Sequence, residues 1–94
     1  MDETGERVGP ATAGVVETDV DDSVALFQPH SGTVFVLNPT AADVWRLSDG
    51  ALTLDEVVTA LARAYDIEPE VIRGDVAAAV DRLRSDGLLA PAEG

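Results

Sequence analysis

The chain has 94 residues, enough for one domain with a small core. Its net charge is −12, all six of its cations are arginines, and it has no cysteine. Disulfides and thiolate chemistry are therefore excluded, and so acidic a surface repels phosphate backbones and anionic lipid headgroups.

Met1 to Thr12 mixes charges with Gly5, Gly9 and Pro10, and Val8 is its one clear apolar residue. It reads as a disordered arm. Its start is polar and acidic, without the apolar stretch of a signal peptide, and no later run reaches membrane-spanning length. The expectation is a cytoplasmic protein. The domain proper is expected over residues 13–89, with a short tail over 90–94.

Three short strands come first. Residues 14–19 form a weak one, Asp21-Asp22 supplies turn chemistry, and Val24 to Gln28 forms the second. Pro29-His30-Ser31-Gly32 is a four-residue hairpin connection. Thr33 to Leu37 is the third and clearest strand, rich in β-branched and aromatic residues.

Three helices follow. Asn38 caps the first, with Pro39 at its first position, where a missing N–H costs nothing. Its inward face is Ala41, Val44, Trp45 and Ser48, and Asp49-Gly50 ends it. Thr53 and Glu56 have the spacing of a capping box for the second helix, whose apolar stripe runs Leu54, Val57, Val58, Leu61, Ala62 and Tyr65. Pro69 opens the third, with Ile72, Val76, Ala79, Val80 and Leu83 inward. Gly87 caps it, and Leu88 folds back on its last turn. The chain reads as α+β: a three-stranded antiparallel sheet followed by three helices, a winged helix-turn-helix-like layout.

Residues that carry out chemistry are scarce. His30 is the single histidine and sits in a hairpin turn, with no cysteine or second histidine at metal-ligand spacing. No phosphate loop or nucleophile elbow occurs. Asp22-Ser23 resembles the modified serine of small acidic carrier proteins, but Ser23 lies between two strands instead of opening a helix. The expectation is a protein that is not an enzyme and uses no metal or cofactor. A winged-helix regulator is the alternative, along with other small protein-interaction modules. Against DNA stands the third helix, where Glu70, Asp75, Asp81 and Asp86 interrupt Arg73, Arg82 and Arg84 and leave no basic face.

The third strand is apolar on both sides, Phe35 and Leu37 on one and Val34 and Val36 on the other. One side covers the domain's own helices. At a sheet edge such a strand favours an added strand from another chain or a second copy of the protein, so both a peptide guest and a homodimer fit. Beside the inward stripe of helix three, Arg73, Ala77, Asp81 and Arg84 form an adjoining face with Val80 at its border, and small or apolar residues at Ala77, Ala78 and Val80 leave room for a guest.

The run from Gly32 through Asn38-Pro39-Thr40-Ala41-Ala42-Asp43-Val44-Trp45, with Asp49-Gly50, residues 53–65, Asp75-Val76 and residues 83–89, resembles the PqqD-like proteins. These are the recognition elements of ribosomally made, post-translationally modified peptides (RiPPs). The resemblance covers roughly residues 15–89 and rests on the ordered string more than on any one motif. It implies a non-catalytic adaptor that binds the leader segment of a precursor peptide and presents it to a modifying enzyme or leader peptidase. It places the leader as a strand on Thr33, Val34, Phe35, Val36 and Leu37, against Arg73, Val76, Ala77, Val80, Asp81 and Arg84 of the third helix. Arginine without lysine and abundant alanine suit a GC-rich bacterium, which favours a stand-alone, lasso-peptide-type branch over the pyrroloquinoline quinone branch.

Overall fold

The computed structural model describes residues 7–21 and 23–90. Among them, three strands, β1 (Val16–Val20), β2 (Ser23–Gln28) and β3 (Thr33–Leu37), precede three helices, α1 (Pro39–Leu47), α2 (Leu54–Tyr65) and α3 (Pro69–Ser85). The strands form an antiparallel meander ordered β1-β2-β3, so β3 pairs with β2 alone and is an edge. This is the expected α+β architecture. The first strand sits one to two residues later than expected, because Gly14 takes a left-handed turn with φ of +89° and Val16 is the residue that pairs with Phe27. Ser23 is the first residue of β2, paired with Val20, and so does not open a helix.

Register explains which side chains are inside. Val24 pairs with Leu37 and Leu26 with Phe35, and these face the helices. Val24, Leu26 and Leu37 are buried and Phe35 packs against the core. The alternate pairs, Ala25 with Val36 and Phe27 with Val34, face outward, and Val16 extends the second pair into a row across three strands. Val16, Phe27, Val34 and Val36 are all exposed.

Each helix begins and ends where local chemistry dictates. Asn38 Oδ1 accepts from the Ala41 N–H at 2.8 Å. The Thr53–Glu56 capping box is complete, with bonds of 2.8 and 3.2 Å. Gly87, at φ +76°, turns the chain so that the Leu88 N–H donates to the Leu83 carbonyl at 2.9 Å and Leu88 is fully buried. Ile72, Val76, Val80 and Leu83 of α3 join Val57, Val58 and Leu61 of α2 and Val44 of α1 in one core.

One expectation is corrected. Residues 7–12, read as part of a disordered arm, form a packed strap. Val8 is 0 % exposed. Its N–H donates to the Leu52 carbonyl and its carbonyl accepts from the Gly50 N–H, both at 2.9 Å. Further along, the Thr12 N–H donates to the Leu88 carbonyl, and the Ala90 N–H donates to the Pro10 carbonyl. The α1–α2 loop and the segment after α3 each leave backbone groups that need partners, and the strap supplies them from between the two. The expected arm over residues 1–6, the tail over 91–94 and the turn residue Asp22 lie outside the described residues.

Candidate functional site

β3 and α3 face each other across an open groove of about 650 Å³. Its sheet wall is Val34, Phe35, Val36 and Leu37, and its helix wall is Asp75, Ala78, Ala79, Arg82, Leu83 and Asp86. Asn38, Thr40 and Ala41, from the start of α1, close one end. At the other end Gln28, itself buried, donates from Nε2 to the Gly87 carbonyl at 2.6 Å, while its Oε1 accepts from the His30 N–H at 2.8 Å. That bridge ties the β2–β3 hairpin to the C-terminal turn of α3. It also fixes direction: the Thr33 end of β3 lies towards Asp86, and the Leu37 end towards Asp75.

Among the described residues no strand pairs with the free edge of β3. Antiparallel pairs alternate between hydrogen-bonded and non-hydrogen-bonded positions. Alternation from a hairpin closed at Gln28–Thr33 assigns the bonds to β2 to Thr33, Phe35 and Leu37, so the N–H and C=O groups of Val34 and Val36 face off the edge. The groove therefore offers main-chain donors and acceptors on one side and small apolar side chains, Ala78 and Ala79, on the other.

The sequence-derived site divides. Val34, Phe35, Val36 and Leu37 line the groove, with Thr33 at the hairpin end of the same strand. The α3 residues do not. Arg73 pairs with Asp55 of α2 at 2.5 Å. Val76 and Val80 are core residues, and Arg84 donates from Nη2 to the Arg7 carbonyl at 3.4 Å, on the strap side. Ala77 and Asp81 lie off the groove wall as well. The wall residues recur at steps of three and four, as do those chosen from sequence, but the two sets lie roughly half a turn apart at about 100° per residue. The core stripe of α3 has two flanks, and the groove lies on the Asp75–Asp86 flank. Asp75, Arg82 and Asp86 are thus site residues that the sequence reading missed. Ala79 and Leu83 stand there on the inward stripe, and Ala78 as a small residue that leaves room for a guest.

The wall's charges are arranged unevenly. Arg82 Nε lies 3.5 Å from Asp86 Oδ2, one turn on. Asp75 forms no ion pair among the described residues. Behind the α1 end, the Tyr65 hydroxyl donates to Asp43 Oδ2. Burial pushes the Tyr65 hydroxyl above the ordinary tyrosine range, and the hydrogen bond to the Asp43 carboxylate and that group's charge add to the shift. On the far side of α1, Trp45 Nε1 donates to Glu17 at 2.9 Å and Arg46 pairs with Asp19 at 3.1 Å, anchoring the helix to β1. Among the described residues no group of three or more His, Asp or Glu side chains is placed to hold a metal ion, and no helix is long and apolar enough to cross a membrane.

Fold and groove together define a class: a small winged-helix-like domain whose open sheet edge faces a helix across a cleft. Residues 23–89 match the family model described as coenzyme PQQ synthesis protein D (PqqD), and the chain belongs to that family. Its fold is similar to that of a lasso peptide synthetase B1 complexed with the leader peptide, at 30 % identity and a TM-score of 0.73 over 87 % of this chain and 96 % of that one. It is also similar to TbiB1 in complex with the TbiA(beta) leader peptide, at 24 % identity and a TM-score of 0.74 over 88 % and 98 %. A third likeness is to the PqqD truncation of Methylobacterium extorquens PqqCD, a stand-alone RiPP recognition element. The identity there is 24 % and the TM-score 0.64, over 94 % and 98 %. No curated protein matches the sequence.

Proposed function

We propose that this chain is a non-catalytic adaptor that binds the leader segment of a ribosomally made precursor peptide and presents it to a modifying enzyme or leader peptidase. The observation that carries this reading is the edge of β3, unpaired among the described residues, opposite the small-residue wall of α3. An extended peptide added there completes the main-chain bonds of Val34 and Val36 and sends alternate side chains into the groove. Membership of the PqqD family and the leader complexes of the similar B1 proteins support it, and the 30 % identity to a lasso synthetase B1 favours a lasso-type pathway. The site of action is the cytoplasm, where ribosomal precursors are made.

The enzyme partner needs its own surface. The outer sheet face is the one left free when a leader fills the groove. There Val34 is 59 % and Val36 70 % exposed, next to Phe27 and Val16. A net charge of −12 on each copy opposes face-to-face pairing of two copies, so a neutral or basic partner suits this face better than a homodimer.

An NMR titration of the full chain with the leader of a precursor peptide encoded beside it tests the proposal. The expected shifts fall on residues 33–37 and on Asp75, Ala78, Ala79, Arg82, Leu83 and Asp86. No shift, or shifts confined to the outer face, refutes it.

A further inference from the structure

We infer that the groove selects an extended segment carrying one cationic side chain, an arginine or a lysine, two residues away from an apolar one, with the cation held by Asp75. The inference rests on the adaptor reading and specifies the peptide that the groove prefers.

The argument is one of length and charge. Asp75 and Asp86 are eleven residues apart on one wall of α3, about 16 Å along the axis at 1.5 Å per residue. Five residues of extended chain span four steps of about 3.3 Å, about 13 Å, and the side chains at its two ends reach the remaining few ångströms. A strand added to β3 turns every second side chain towards that wall, so three of five reach it. The central one meets Ala78, Ala79 and Leu83, which offer only apolar surface. The one at the hairpin end meets Arg82 and Asp86, which already neutralise each other. The one at the Leu37 end meets Asp75, an exposed carboxylate without an ion-pair partner among the described residues. The neighbours there, Asn38, Thr40 and Ala41, carry no charge. The groove therefore has one unanswered negative charge, at one end, beside an apolar centre. The spacing of cation and apolar residue is the same whichever direction the strand runs. An incoming acidic residue at this position would be repelled, so the carboxylate rejects as well as selects. The net charge of −12 draws cationic segments to the surface from a distance.

The test is selection of a displayed library of random dodecapeptides on the full chain and on Asp75→Asn, followed by calorimetry on the enriched peptides. On the unmodified chain, the expected enrichment is an arginine or lysine two positions from an apolar residue. Asp75→Asn loses that preference. It binds the same peptides about two- to fivefold more weakly, the range of a solvent-accessible ion pair. Norleucine in place of the cation makes the two proteins bind equally, and 0.5 M salt narrows the gap. The inference is overturned, with the adaptor reading intact, if the enriched peptides lose affinity for Val36→Pro yet show no cation at that spacing, or bind Asp75→Asn unchanged. Both are overturned if no peptide is enriched, or if the enriched peptides bind Val36→Pro as tightly as the unmodified chain.

Discussion

Val36→Pro isolates the main chain of the free edge from everything else in the groove. The Val36 side chain is 70 % exposed, so the substitution removes little buried apolar surface. Its N–H faces away from β2, so the β2–β3 ladder keeps its bonds. Proline is tolerated on edge strands for that reason. What is lost is one donor to an incoming strand. The net contribution of such a bond is about 0.5–1.5 kcal/mol, and the guest carbonyl left unpaired costs about 1–3 kcal/mol more. Together these give about 1.5–4.5 kcal/mol, roughly a tenfold to thousandfold rise in Kd at 1.4 kcal/mol per decade. Calorimetry with the leader, beside a thermal melt of the same variant, is the assay. A melt close to that of the unmodified chain with binding weakened by at least about tenfold is the expected pair of results. A folded variant that binds the leader unchanged refutes strand addition on β3.

Other predictions concern the elements that hold the groove in shape. Gly9→Ala should destabilise the chain by about 2–4 kcal/mol in urea unfolding. Its Cβ would sit 2.1 Å from the Ser48 carbonyl oxygen, at a backbone φ of +95°; an unchanged midpoint would show that the strap does not pack as described. Gln28→Leu leaves the Gly87 carbonyl and the His30 N–H without their partner and should cost about 1–3 kcal/mol, with NMR shifts at the hairpin end of the groove. Tyr65→Phe should flatten the alkaline limb of stability. The folded chain holds the Tyr65 proton more tightly than the unfolded one, so that stabilisation is full below about pH 10 and is lost as pH climbs through the raised folded-state value. Parallel urea midpoints for both proteins from pH 8 to 11 would contradict it.

The order and ends of the elements were legible in the sequence wherever a local rule decides them. Asn38-Pro39, the Thr53–Glu56 capping box and Gly87-Leu88 act within one turn of chain, and β3 announces itself through five strand-forming residues bounded by Gly32 and Asn38. The inward stripe of α3 was equally readable, since a period of 3.6 needs no knowledge of what it packs against.

Only the tertiary structure decided which flank of that stripe borders the groove. Both flanks of α3 carry arginines, acids and alanines at the same spacings, and the pattern is unchanged if the helix is laid across the sheet with either flank towards β3. The Gln28–Gly87 bridge, 59 residues apart, and the Arg73–Asp55 pair settle that orientation, and neither leaves a local signature. The same holds for the strap: Val8 is one valine among glycines and charges until the α1–α2 loop and the segment after α3 present the backbone groups that it completes. Periodicity and capping are properties of neighbouring residues. The groove and the strap are made by residues that only the folded backbone brings together.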